Sequence, residues 1–164
     1  MQTQISDEQI RVLIADDDEH ILDCYVEAFC EQAKTGVMRA VDVLESELFG
    51  EGTDSVPVPR FDVVSCSQGA DAVALAREAA TEGNPFDVVI LDVRMPPGID
   101  GVEAGSEIRK LDPEVEIVFV TGYSDMAVEE LRRRVPPPTK LHYFNKPLSF
   151  QQLAEDVADM LRAS

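Results

Sequence analysis

Four clusters of polar residues, each placed directly after a short apolar run, carry the chemistry open to this chain. RVLIA at 11–15 runs into Asp16, Asp17 and Asp18, and VVIL at 88–91 stops at Asp92. EIVFVTG ends on Thr121 and Gly122, and LHYFNK delivers Lys146 and Pro147. Carboxylates pushed together are costly unless something cationic neutralises them, and an oxygen-only cluster suits a hard divalent ion such as Mg²⁺. Lys146 adds a second positive charge and Thr121 a hydroxyl donor. Together these residues form an inventory for phosphoryl chemistry: a carboxylate nucleophile, a metal to bridge phosphoryl oxygens and a lysine to offset developing charge. Taken alone, Asp92 reads equally well as the cap of the following turn.

What unites the clusters is the pattern of elements behind them. The four apolar residues before Asp92 read as a strand buried on both faces, followed by a Pro- and Gly-rich turn to Gly101. Residues 11–15, 61–67, 116–122 and 141–146 read as four further strands. Between them lie helical faces: Leu22, Val26 and Phe29 from Glu19; Ala72, Leu75, Ala76 and Ala79 from Gly69; Ala104, Ile108 and Leu111; a short helix over 125–134; and Leu153, Val157, Met160 and Leu161 after a capping Ser149. Five βα units in succession imply a doubly wound α/β fold with right-handed crossovers. All four polar clusters then fall on the carboxyl edge of one parallel sheet, where such folds bind ligands.

The first helix is unusual. Leu22, Val26, Phe29, Ala33, Val37, Val41, Leu44 and Leu48 recur at steps of three and four, which predicts one helix from about Glu19 to Phe49 despite Gly36. At 1.5 Å per residue it would be roughly 45 Å long, more than the sheet beneath it needs. The surplus stripe is expected to pair with its copy on another molecule, giving a homodimer, or with a partner helix in a longer protein. The competing reading is a break near Thr35 and Gly36 with the second half folded back. Residues 50–60 would return the chain to the second strand.

Composition restricts the setting. The chain has 164 residues, 45% hydrophobic and 28% charged, as in an ordinary globular domain. Fourteen Lys and Arg against 32 Asp and Glu give a formal charge of -18, which opposes direct contact with nucleic acid or anionic lipid. No signal peptide and no membrane-length apolar run is present, so a cytoplasmic protein is expected. Cys24, Cys30 and Cys66 lack metal or disulfide spacing and read as packing residues. His20 and His142 read as structural.

On these residues the chain resembles a receiver domain of a two-component response regulator, a CheY-like, flavodoxin-like sheet of strand order 2-1-3-4-5. The resemblance covers essentially the whole chain, 1–164 as a single domain, apart from an insertion near 31–60. In VLIADDD, Asp16 and Asp17 resemble the family's acidic pair, with Asp17 a direct Mg²⁺ ligand and Asp16 acting mainly through water. Asp92 resembles the phosphoacceptor, and the backbone carbonyl of Arg94 the third protein ligand. Thr121 resembles the switch hydroxyl, Lys146 with Pro147 the lysine followed by proline, and Tyr143 the aromatic that rotates inward on phosphorylation. The resemblance also implies a cis peptide between Lys146 and Pro147. It implies phosphoryl transfer from a sensor histidine kinase or a phosphotransfer protein to Asp92, self-catalysed, followed by a change in the face of the fourth helix, fifth strand and fifth helix. Such a chain is mainly a signalling switch, either a single-domain regulator or a receiver from a longer kinase, cyclase or transcription factor.

Two other classes share parts of this pattern. A haloacid-dehalogenase-like Mg²⁺ phosphatase needs an acid two residues after its nucleophile, where this chain has Arg94. A flavodoxin-like electron carrier needs a Ser-, Thr- and Gly-bearing phosphate loop where this chain has DDDEH.

Overall fold

The computed structural model describes residues 9–48, 60–122 and 127–163, the side chains of 35–48 excepted. Ten elements alternate along it: β1 (Gln9–Ala15), α1 (Glu19–Leu48), β2 (Arg60–Cys66), α2 (Gly69–Thr81), β3 (Val88–Asp92), α3 (Gly101–Leu111), β4 (Glu116–Thr121), α4 (Val128–Arg134), β5 (Leu141–Asn145) and α5 (Phe150–Arg162). A single 3₁₀ turn at Pro138–Lys140, absent from the sequence reading, leads into β5. The strands are parallel in the order β2-β1-β3-β4-β5, as expected.

Every residue of β3 and β4 is buried, which explains their unbroken apolar runs: helices cover both faces. On one face Leu13, Val89, Leu91, Ile117 and Phe119 pack with α2, α3 and Leu131 of α4. On the other, Val12, Ile14, Val88, Ile90, Val118 and Val120 pack with Leu22, Tyr25 and Phe29 of α1 and Leu153 and Val157 of α5. Phe29 meets Phe61 of β2 edge to face at 5.0 Å between centroids. Asp92 continues the alternation of Val88 and Ile90, so its side chain leaves the sheet on the α1 and α5 side.

Local chemistry starts the helices. Asp18 Oδ1 accepts from the His20 N–H at 2.9 Å, Asp100 Oδ1 from Glu103 at 2.7 Å, and Ser149 Oγ from Gln152 at 3.3 Å. At the opposite end of the sheet, Arg109 of α3 donates to the carbonyls of Pro113, Val115 and Lys140. Buried Glu116 accepts from Lys140 Nζ at 3.0 Å and pairs with His142 Nε2 at 2.8 Å. These contacts tie the start of β5 to α3 and β4.

α1 is one helix of 30 residues, continuous through Gly36, so the broken alternative is set aside. At about 45 Å it is nearly twice the roughly 23 Å of a seven-residue strand. Its buried stripe differs in detail from the sequence reading. Tyr25 enters the core and Val26 is only half-buried, because Leu22, Tyr25, Ala28 and Phe29 form the inward face. Cys24 and Cys30 fall outside that stripe and are exposed, and Cys66 is half-buried, so the reading of all three as packing residues is corrected. The stripe positions Val37, Val41, Leu44 and Leu48, as side chains, and the connection 49–59 lie outside the described residues, as do Tyr123 and the proposed start of the fourth helix at Asp125.

Candidate functional site

The site is built where β1, β3 and β5 release their chains. Asp16 is 1% exposed and Asp92 8%, whereas Asp17 faces solvent. One carboxylate oxygen from each of the three lies within 4.8 Å of the others. Lys146 reaches across the sheet edge: its Nζ stands 3.1 Å from Asp92 Oδ2 and 3.3 Å from Asp16 Oδ2. The remaining oxygens are held by backbone. Asp16 Oδ1 accepts from the Asp18 N–H at 3.0 Å, and Asp92 Oδ1 from the Arg94 N–H at 3.2 Å.

The electrostatics follow from this crowding. Burial, then the charge of Asp16, raise the Asp92 carboxyl above its ordinary pKa, against the opposing pull of Lys146 and the Arg94 amide. Burial works against the Lys146 ammonium, but the charges and hydrogen bonds of Asp92 and Asp16 outweigh it and hold the group above its ordinary value. Tyr25, fixed edge to face against Phe150 at 4.8 Å, is a residue the sequence reading missed. Burial, with Asp16 and Asp92 adding to it, pushes its phenol up, so the hydroxyl stays protonated beside the acids. The i, i+3 step from Leu22 was the available signal.

Two further positions complete the edge. Thr121 is buried at the end of β4; its hydroxyl donates to the Gly122 carbonyl at 2.8 Å, and its own carbonyl accepts from the Lys146 N–H at 2.8 Å. The Lys146–Pro147 peptide is cis, as expected. Tyr143 stands apart, half-buried against the α2, α3 and α4 core, with its hydroxyl donating to Asn145 Oδ1 at 3.0 Å. The structure therefore gathers Asp16, Asp17, Asp92 and Lys146 into one cluster, sets Thr121 on the neighbouring strand end and leaves Tyr143 outside it.

The backbone makes this geometry possible at Gly101. A Cβ built there would lie 1.9 Å from the Asp92 carbonyl oxygen, so only glycine lets α3 begin against the end of β3.

Such an edge, with an all-oxygen acidic cluster and a bridging lysine on a five-stranded parallel sheet, has the groups that phosphoryl transfer to a carboxylate needs. The model of the response regulator receiver domain family matches residues 56–158, more than half of the chain. The chain belongs to the response regulator receiver domain family. It is 34% identical over 101 residues to the sensor kinase CckA of Brucella abortus (strain 2308), covering 62% of this chain and 10% of that protein. It is 35% identical over 103 residues to the transcriptional regulatory protein ZraR of Salmonella typhimurium (strain LT2), covering 62% of this chain and 21% of that protein. The chain thus spans only a small part of these relatives. Among solved structures, a CheY-like receiver domain protein from Methanospirillum hungatei JF-1 has a TM-score of 0.63 at 20% identity, covering 95% of this chain and 96% of that one, a likeness of fold.

This membership makes the chain a phosphoacceptor receiver of two-component signalling and disposes of the phosphatase alternative. Receivers of this family generally bind Mg²⁺ at an acidic pocket, and Asp16, Asp17 and Asp92 form an acidic cluster of oxygen donors at this edge. Among the described residues no helix is long and apolar enough to cross a membrane.

Proposed function

We propose that Asp92 is the residue that accepts the phosphoryl group, from a sensor histidine kinase or a phosphotransfer protein, in a cytoplasmic setting. The observation that carries this reading is the Lys146 ammonium bridging Asp16 and Asp92 at the carboxyl edge of the sheet. Asp16, Asp17, Asp92 and the backbone carbonyl of Arg94 would hold Mg²⁺. When bound, that ion neutralises the carboxylates and the oxygens of the incoming group.

The protein's own residues do the rest. Burial of the Asp92 carboxyl and its bond from the Arg94 N–H fix one oxygen, leaving Oδ2 toward Lys146 and the donor. Lys146, held cationic by two acids, offsets charge that develops on the transferring group. The acyl phosphate then offers acceptor oxygens one strand from Thr121, whose hydroxyl turns from the Gly122 carbonyl toward them. Tyr143 moves into the space this vacates, changing the α4, β5 and α5 face. His20 and His142 take no part.

Residues 1–164 are read as a single receiver domain. Its long α1 pairs with a second copy through the sequence register Val37, Val41, Leu44 and Leu48, a reading supported by the unbroken 30-residue helix. Solution mass tests this: the wild type should be a dimer and a Val41→Glu, Leu44→Glu variant a monomer, and a monomeric wild type at high concentration excludes it.

Acetyl phosphate with Mg²⁺ tests the acceptor assignment. The intact wild type should gain one phosphoryl mass, and Asp92→Asn none. An equal gain in Asp92→Asn would overturn the assignment.

A further inference from the structure

β2 ends on neither an acid nor a lysine, yet its end is bonded to both halves of the acid site. The Cys66 carbonyl accepts from the Asp16 N–H at 3.3 Å, which holds the first acid from the β2 side. The Cys66 Sγ in turn donates to the Gln68 carbonyl at 3.6 Å. Burial pushes that thiol up to about 11, against the opposing bond to Gln68, so it stays a protonated donor. Gln68 Nε2 then crosses to the loop after β3 and donates to the Pro96 carbonyl at 3.3 Å.

The two loops are packed as well as bonded. A Cβ built on Gly69 would lie 2.9 Å from the Ile99 carbonyl oxygen, and one on Gly98 would lie 3.0 Å from Gln68 Oε1. Both ends of the Gln68 amide therefore rest against the β3–α3 loop. That loop, residues 93–100, carries Arg94, whose N–H donates to Asp92 Oδ1 at 3.2 Å. A bond to the Pro96 carbonyl fixes the backbone on the far side of Arg94 from Asp92.

Gln68 gives up a local bond to reach there. It caps α2, and its side chain makes no bond to that helix. Serine, threonine, aspartate or asparagine at this position would satisfy a free N–H of the first turn, whereas glutamine is not among the preferred caps. Only the longer amide closes a gap that is already 3.3 Å wide.

We propose that Gln68 is a positioning residue for the acceptor: by holding the β3–α3 loop at Pro96 it fixes Arg94, and with it the Asp92 carboxylate and the backbone carbonyl assigned to the metal. The metal part rests on the proposed role of Asp92 and its neighbours, while the positioning part is a property of the metal-free protein. Gln68 acts through the loop alone, as the outer partners of a metal ligand do.

Gln68→Ser and Gln68→Met separate this role from simple support. Serine caps α2 and removes the bridge, and methionine keeps the length without a donor. In metal-free protein, hydrogen exchange at the Arg94 amide should speed up about tenfold in both variants, while amides inside β1 and α2 keep their protection. Mg²⁺ affinity, read by calorimetry, should fall about tenfold in both. The melting temperature of Gln68→Ser should hold or rise, so stability and order at the site move apart. Arg94 exchange at the wild-type rate in either variant overturns the proposal. So does a lower melting temperature in Gln68→Ser with protection lost equally over α2 and the loop, which would make Gln68 ordinary support. A wild type that binds no Mg²⁺ removes the metal part alone, because Arg94 exchange decides the positioning role without the ion.

Discussion

Asp92 carries a cost in the resting protein, and its sign can be measured. Its folded-state pKa lies above the ordinary 3.8, so the native state binds that proton more tightly than the unfolded chain does. This group's contribution to stability is therefore greatest at low pH and falls as pH rises from about 3.8 through the raised value. Asp92→Asn should remove that slope and leave the protein equally or more stable at neutral pH, as denaturant unfolding across pH will show. Lys146→Met should act in the opposite direction, leaving Asp16 and Asp92 facing each other without their cation, so its stability should drop at neutral pH and recover as pH falls. The family resemblance puts control of acyl-phosphate hydrolysis on the residues two past the acceptor and two past the switch hydroxyl, Arg94 and Tyr123 in this sequence. Neither residue type carries a carboxamide or carboxylate to position an attacking water, so the phosphoryl group should persist for many minutes in purified protein. Decay within seconds would contradict this. Most of the site was legible at this scale because polar residues at strand ends interrupt apolar runs. Tyr25 was not, since an aromatic on a helical stripe looks like any other core residue until the sheet edge is placed beside it.

At the level of elements, the close approach of α3 to β3 is the tightest constraint. Gly101→Ala would drive a methyl group into the Asp92 carbonyl and should cost about 3 kcal/mol or unfold the domain, measured by thermal melting. Phe29→Ala, at a fully buried position, should cost about 3–5 kcal/mol. A loss below about 1 kcal/mol would mean that α1 is not docked as described. The five strands were readable because β3 and β4 are buried on both faces, and the length of α1 because its apolar period keeps register across Gly36. The 3₁₀ turn before β5 escaped because a proline run signals a break without saying what replaces it. The surface positions of Cys24 and Cys30 escaped because cysteine is usually buried, and only the inward face of the finished helix assigns them.

For the whole molecule, the proposed metal would be a folding ligand. Mg²⁺ held by the assembled cluster and not by the unfolded chain would raise the melting temperature, and no shift at millimolar Mg²⁺ would contradict a site at Asp16, Asp17 and Asp92. The formal charge of -18 works against direct contact of these residues with nucleic acid. The central claim, that the receiver stores its signal as an acyl phosphate on Asp92, is tested most directly by trapping that bond. The protein is incubated with acetyl phosphate and Mg²⁺, reduced with borohydride, digested and sequenced by mass. The account predicts that residue 92 alone is converted to homoserine, and only when Mg²⁺ is present. Conversion at another carboxylate, or none at residue 92, would contradict it.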